Sequence, residues 1–191
     1  SPAAAGAFRR HPGATSGLPV AYTGPAGHLD YHETGLEDAA TLARIIKVER
    51  PRVIYHLAAQ SSAAASFEAP HETFTANLLG TLNLLEAVRA LPVGDRPLVI
   101  AVGSAEEYGP QPEGAPPLTE GAPLAPLSPY AVSKVAQTLL CRQYHRSYDL
   151  PVIVARPFSH TGPGQNPRFA FPSFARQIAA DGMNVVLSAR R

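Results

Sequence analysis

The chain has 191 residues, 45% of them hydrophobic and 16% charged, with a formal net charge of +1. That is enough for one sizeable core, and a charge near zero without a basic block argues against a nucleic-acid binder. No apolar run approaches the ~18 residues of a membrane span, and the single cysteine, Cys141, excludes a disulfide framework and points to a reducing cytoplasm.

Residues 1–28 are rich in Ala, Gly and Pro without a strong period, so they are expected to be poorly ordered or the remnant of an upstream element. Leu36, Ala39, Leu42, Ile45 and Ile46 form a helical stripe that predicts a helix over 36–49, ended by Pro51. Residues 53–57 are a short apolar run and read as a buried strand. Phe74, Leu78, Leu82, Leu85 and Val88 predict a helix over 71–90, and 97–102 a second buried strand. Residues 103–129 carry seven prolines after Gly109, too many for a helix or a central strand. A helix is predicted over 129–148, with Pro129 in its tolerant first turn, then a third strand over 151–156 and a last helix over 172–180. Tyr55, Tyr108 and Tyr144 read as core residues.

Apolar strands alternating with helices predict an α/β fold with a doubly wound parallel sheet covered on both faces. Ligands of such folds sit beyond the carboxyl ends of the strands. The unusual segments 58–62, 103–109 and 157–165 all follow strand ends, so they are expected to line one site. Tyr130 and Lys134 are four apart on a predicted helix and share a face. An ammonium beside a phenol favours the phenolate, so the Tyr130 pKa is expected to be lowered into a range useful for proton transfer.

His56-Leu57-Ala58-Ala59-Gln60, Asn77-x-x-Gly80-Thr81, Gly103-Ser104-x-Glu106-x-Tyr108-Gly109, Ser128-Pro129-Tyr130-x-x-Ser133-Lys134 and Arg156-Pro157-Phe158-x-His160 occur in that order. Over about residues 29–180 this set resembles the extended short-chain dehydrogenase/reductases that act on nucleotide sugars. It is most similar to the branch that reduces the 4-keto group of GDP-4-keto-6-deoxy-D-mannose, with the GDP-mannose 4,6-dehydratase branch second. The resemblance implies a Rossmann-like domain binding NADP or NAD, a GDP-sugar substrate, and a homodimer paired through the helices 71–90 and 129–148.

The same resemblance implies residue roles. Ser104, Glu106, Tyr130 and Lys134 are the expected catalytic residues. Tyr130 carries the proton, Lys134 lowers its pKa and holds a cofactor ribose, and Ser104 hydrogen-bonds the ketone oxygen. Glu106 is the acid/base of a dehydratase, or orients substrate in a reductase. Asp30, Leu57, Ala58, Ala59, Gln60, Asn77, Pro157 and His160 join Tyr130 and Lys134 at the cofactor, and Ser62, Ser104, Ala105, Ser159 and Arg168 at the substrate. The family has Asn where this chain has Ser159, so one hydrogen bond to substrate or cofactor is not carried over. Glu107 reads as structural or exposed.

The family opens on a strand and a Gly-x-x-Gly-x-x-Gly loop. Thr23-Gly24-Pro25-Ala26-Gly27 mimics its start but lacks the third glycine and lies too close before Ala58, so it reads as a surface turn. The first βα unit is therefore expected to be missing, and a truncated, inactive domain stands as a third reading. The domains expected are an undefined segment 1–28, a partial dinucleotide-binding domain 29–168, and the start of a substrate-binding region 169–191.

Overall fold

The computed structural model describes residues 5–9, 29–162, 165 and 170–181. They fall into two compact units, one ending at Phe158 and the other beginning at Ser159.

The first unit holds two parallel sheets. In one, β1 (Ala5–Arg9) pairs with β2 (Leu29–Glu33), Ala5 opposite Leu29. Part of the segment expected to be poorly ordered or the remnant of an upstream element is thus a strand. Its Ala-Gly-Ala-Phe-Arg sequence shows little intrinsic preference, so the pairing partner decides its conformation. In the other sheet, β3 (Val53–His56), β4 (Leu98–Val102) and β5 (Val152–Ala155) lie side by side with β4 central. His56 stands opposite Ala101, and Val102 opposite Ala155. The strand ends that carry the unusual loops therefore finish at one edge.

Helix α1 (Ala39–Glu49) is capped by Asp38, whose Oδ1 accepts the Thr41 N–H at 3.0 Å. The region expected as one helix over 71–90 is divided: α3 (Pro70–Phe74), a π-helical turn (Thr75–Leu79) and α4 (Gly80–Arg89). Before it runs α2 (Ala63–Glu68), which the sequence reading missed because it has no apolar stripe. The available signal was Ser62 ahead of three alanines, a cap residue before strong helix formers. Helix α5 (Pro129–Tyr148) agrees with expectation, and Ser128 Oγ accepts the Ala131 N–H at 3.0 Å as its cap.

The core joins Leu42, Ile46, Leu85, Val88, Val99, Cys141 and Tyr144, and so packs α1, α4 and α5 on one face of the three-stranded sheet. Burial pushes the Cys141 thiol up to about 12, as suits an inert core residue. Gly80 lets α4 approach the loop before α1, where a Cβ would come 2.8 Å from the Leu36 Cβ. Arg96 ties the ends of α4 and α5, donating to the carbonyls of Arg89 and Tyr148 at 3.1 and 2.8 Å. On the opposite face of the sheet Val53, Tyr55 and Ile153 are exposed within this unit. Tyr55, expected in the core, is 67% exposed because its strand turns it away from the packed helices, whereas Tyr108 and Tyr144 are buried.

The second unit contains α6 (Ala170–Asp181), two residues longer at its start than expected. No helix among the described residues is long and apolar enough to cross a membrane.

Candidate active site

At the carboxyl end of β4 the chain turns at Gly103 into Ser104 and a short 3-10 turn, Ala105–Tyr108. This turn is capped reciprocally. Ser104 Oγ accepts the Glu106 N–H at 3.2 Å, and Glu107 Oε1 accepts the Ser104 N–H at 3.0 Å. The Gly103 N–H donates to the Ala155 carbonyl at 2.7 Å and the Ala105 N–H to the Pro157 carbonyl at 3.1 Å. The Ser104 loop is thereby stitched to the chain leaving β5.

Helix α5 brings Tyr130 and Lys134 to this loop, and both are buried. The Tyr130 N–H, an orphan donor of the first helical turn, donates to Ser66 Oγ of α2 at 3.0 Å. The Lys134 ammonium lies 6.0 Å from the centre of the Tyr130 ring. It donates to the Val102 carbonyl at 2.8 Å and to Gln137 Oε1 at 3.0 Å. Burial draws its pKa down to about 8, against an opposing pull from Glu107.

The Tyr130 phenol departs from expectation: its pKa is raised, not lowered. Burial is the largest cause. A hydrogen bond with Ser104 acts in the other direction, and the carboxylates of Glu106 and Glu107 add to the rise. Lys134 does not reverse it, since its ammonium is directed at Val102 and Gln137.

Asn77 sits in the π turn, where an extra residue widens the helix, a distortion common at functional sites. Its Oδ1 accepts the Gln60 N–H at 2.8 Å, and its Nδ2 donates to the Gln60 carbonyl at 3.1 Å and to Ser133 Oγ at 2.9 Å. Ser133 in turn donates to the Tyr130 carbonyl at 2.7 Å. One buried amide thus fixes the loop after β3 to the helix of Tyr130. Ala58, Ala59 and Gln60 are half-buried there, while Leu57 is 68% exposed. Ser62, expected at the substrate, has its hydroxyl turned to capping α2, where it accepts the Ala65 N–H at 3.2 Å.

A groove of about 430 Å³ opens beside the 3-10 turn, lined by Ala105, Glu106, Ser128, Phe67, Leu127 and Ala131 among others. Glu106 is exposed, and its Oε2 accepts the Ser128 hydroxyl at 3.5 Å. A larger cavity, about 570 Å³, lies along β5 and includes neither Tyr130 nor Lys134.

The structure gathers Ser104, Glu106, Tyr130, Lys134, Asn77 and Gln60 at the strand ends. Pro157 contributes its backbone carbonyl there. Ser159 and His160 belong to the second unit, where both are exposed. Asp30 lies in β2 opposite Gly6, with its side chain outside the described residues. Arg168, Gly24 and Gly27 also lie outside the described residues. Sequence reasoning missed Ser66 and Gln137, and gave Ser133, though part of the motif, no role. Their signal was position: Ser133 and Gln137 flank Lys134 on its own helix, and nothing local marked Ser66.

The sequence profile of GDP-mannose 4,6 dehydratase matches residues 16–186. The chain is 44% identical over 131 residues to GDP-6-deoxy-D-mannose reductase of Pseudomonas aeruginosa, covering 69% of this chain and 42% of that protein. It is 35% identical over 152 residues to GDP-mannose 4,6-dehydratase of Yersinia enterocolitica, covering 80% and 40%. Among solved structures it is similar to RMD from Pseudomonas aeruginosa complexed with NADPH, with a TM-score of 0.70, 38% identity, and coverage of 81% of this chain and 53% of that one. DesIV, a dTDP-glucose 4,6-dehydratase from Streptomyces venezuelae with NAD bound, gives a TM-score of 0.72 at 32% identity, covering 79% and 45%. The chain thus spans about half the length, or less, of these relatives. The fold is the Rossmann-like parallel sheet of such proteins, and the chain belongs to the GDP-mannose 4,6-dehydratase family.

Proposed function

We propose that the protein carrying this chain reduces the 4-keto group of a GDP-linked 4-keto-6-deoxy sugar with NADPH or NADH. The observation that carries this reading is the buried Tyr130 phenol, its pKa pulled down by the neighbouring Ser104 against the larger effect of burial, with the Lys134 ammonium 6.0 Å from its ring centre, at the carboxyl ends of β3 and β4. The 44% identity to a GDP-6-deoxy-D-mannose reductase supports it.

The residues fit a dinucleotide. Ala58 and Ala59 present small side chains at a strand end, where backbone can approach a ribose or phosphate closely. Two N–H bonds of the Lys134 ammonium go to Val102 and Gln137, leaving one of its three donors for a ribose hydroxyl. When bound, the nicotinamide supplies the hydride. Tyr130 hands its proton to the ketone oxygen, and a phenol pKa held high keeps that proton in place until it is needed. The Ser104 hydroxyl stabilises charge developing on the same oxygen. Lys134, held near 8, keeps positive charge beside the phenolate left behind.

A second reading, the 4,6-dehydratase, is favoured by Glu106. Its exposed carboxylate borders the groove and can take and return protons across C5–C6. Stoichiometric NAD(P)H consumption with the keto sugar supports reduction. Water loss from GDP-mannose without net cofactor change supports elimination instead. In the complete gene product, Tyr130→Phe is expected to lower kcat by about 10²–10⁴-fold at an unchanged melting temperature. Full activity in that variant would reject the assignment.

The partner in this reading is a second copy of the chain. Outward-facing Val132 and Leu139 of α5, with Leu79 at the end of the π turn, offer an apolar face on the two helices expected to pair.

A further inference from the structure

Glu107 is the least expected side chain near the site. It is fully buried, and its carboxylate meets three separate elements. Oε1 accepts the Ser104 N–H at 3.0 Å. Both oxygens accept from Thr138 Oγ1 of α5, at 3.1 and 2.9 Å. Oε2 lies 2.8 Å from Arg156 Nε at the end of β5. That contact is an ion pair between the buried carboxylate and the guanidinium. Arg156 is held in place by other groups: its Nη1 donates to the Tyr108 hydroxyl at 2.9 Å and to the Glu120 carbonyl at 3.3 Å. Room for the carboxylate comes from Gly103, where a Cβ would stand 2.4 Å from Glu107 Oε1.

Burying a carboxylate is costly unless it is paired and hydrogen-bonded. Here every partner belongs to a piece that must be in register for the reaction. Ser104 and Glu107 share the loop after β4. Thr138 lies one turn beyond Lys134 on α5, the same side of the helix. Arg156 follows β5, next to the Pro157 carbonyl that holds Ala105.

We infer that Glu107 is a positioning residue: its carboxylate sets the Ser104 loop against the Tyr130–Lys134 helix through Thr138, with Arg156 as its counter-ion. The inference rests on the reading of Ser104, Tyr130 and Lys134 as the reacting groups. Glu107 itself touches neither substrate nor cofactor.

The charge also acts at a distance, since it favours the protonated forms of both Tyr130 and Lys134. The groups facing it are Ser104 on its own loop, Tyr130, Thr138, Lys134 and Cys141 on α5, and Arg156 after β5. Glu106, on the same turn, contributes its own negative charge to Tyr130 and is unchanged by the variants below.

The test is made on the complete gene product with a GDP-linked 4-keto-6-deoxy sugar and NADPH. Glu107→Gln keeps the shape and one acceptor but removes the charge. It is expected to lower kcat about tenfold, to change KM for NADPH less than about threefold, and to move the pH profile of kcat to lower pH by at least about half a unit. A folded Glu107→Gln protein with the wild-type profile and kcat overturns the inference. If that variant does not fold, Thr138 decides. Thr138→Val, nearly isosteric, is expected to lower kcat severalfold, and Thr138→Ser to restore it. Equal kcat in the Val and wild-type proteins overturns the inference. A Tyr130→Phe control separates the levels: full activity there rejects the site reading beneath, whereas an inactive control with an indifferent Glu107 rejects the positioning role alone.

Discussion

His56 illustrates how one buried group ties the fold to pH. Its Nε2 lies 2.8 Å from Thr81 Oγ1, and Thr81 gives its own proton to the Asn77 carbonyl at 2.6 Å. The Thr81 oxygen must therefore accept, which fixes the imidazole as the Nε2–H tautomer. Burial, reinforced by the Lys134 charge, lowers its pKa to about 4. The unfolded chain takes up a proton near 6.5 that the folded chain refuses until about 4. Stability is thus complete above 6.5 and falls as pH drops through that window, by about 3 kcal/mol. Urea unfolding at pH 7 and pH 4.5 is expected to show most of this difference, and a His56→Asn variant a flatter dependence over the same range. Equal slopes in the two proteins would remove His56 as the cause. The polar role of His56 is invisible in an apolar run such as Val-Ile-Tyr-His-Leu, because its partner Thr81 is 25 residues away.

Among the elements, those governed by local rules were readable. Helix α5 begins where Ser128 and Pro129 say it should, and the three apolar runs are the strands β3, β4 and β5. The region 71–90 was read less well. Its apolar stripe named Phe74, Leu78 and Leu82, yet all three are half-buried, and Thr73, Asn77, Gly80 and Thr81 face inward. The π turn shifts the phase of the helix midway, and the buried side is polar because it meets α5, where Asn77 bonds Ser133, so hydrophobic period alone misplaces it. The end of α5 offers a test. Asp149 sits in the left-handed region, at φ 51° and ψ 34°. Asp tolerates this better than most residues, but glycine has no Cβ to strain. Asp149→Gly is expected to gain about 0.5 kcal/mol and to raise the melting temperature by roughly 1–2 °C. A lower melting temperature would show that the Asp side chain matters more than the backbone.

For the whole molecule, the site was legible from motifs at strand ends, and its internal wiring was not. Ser104, Tyr130, Lys134 and Asn77 meet as expected, but the raised Tyr130 pKa depends on burial, which no linear pattern reports. The pairing face is a matter of the same scale. Val132 and Leu139 are 41% and 52% exposed on a helix whose other side carries the site. If two copies cover this face, Leu139→Glu is expected to convert a dimer to a monomer in sedimentation velocity, with the fold retained by circular dichroism. A wild-type protein that sediments as a monomer at micromolar concentration would rule the pairing out.

The contact between Gly103 and Glu107 also constrains how such a sequence can drift. Glu107 is held from three sides and has no room to swing away from a new methyl group at 103. Alanine at 103 is admissible only once the residue at 107 has shortened. Shortening 107 first takes the carboxylate partner away from Arg156, whose side chain is itself largely buried. Positions 103, 107 and 156 are therefore expected to change together rather than one at a time.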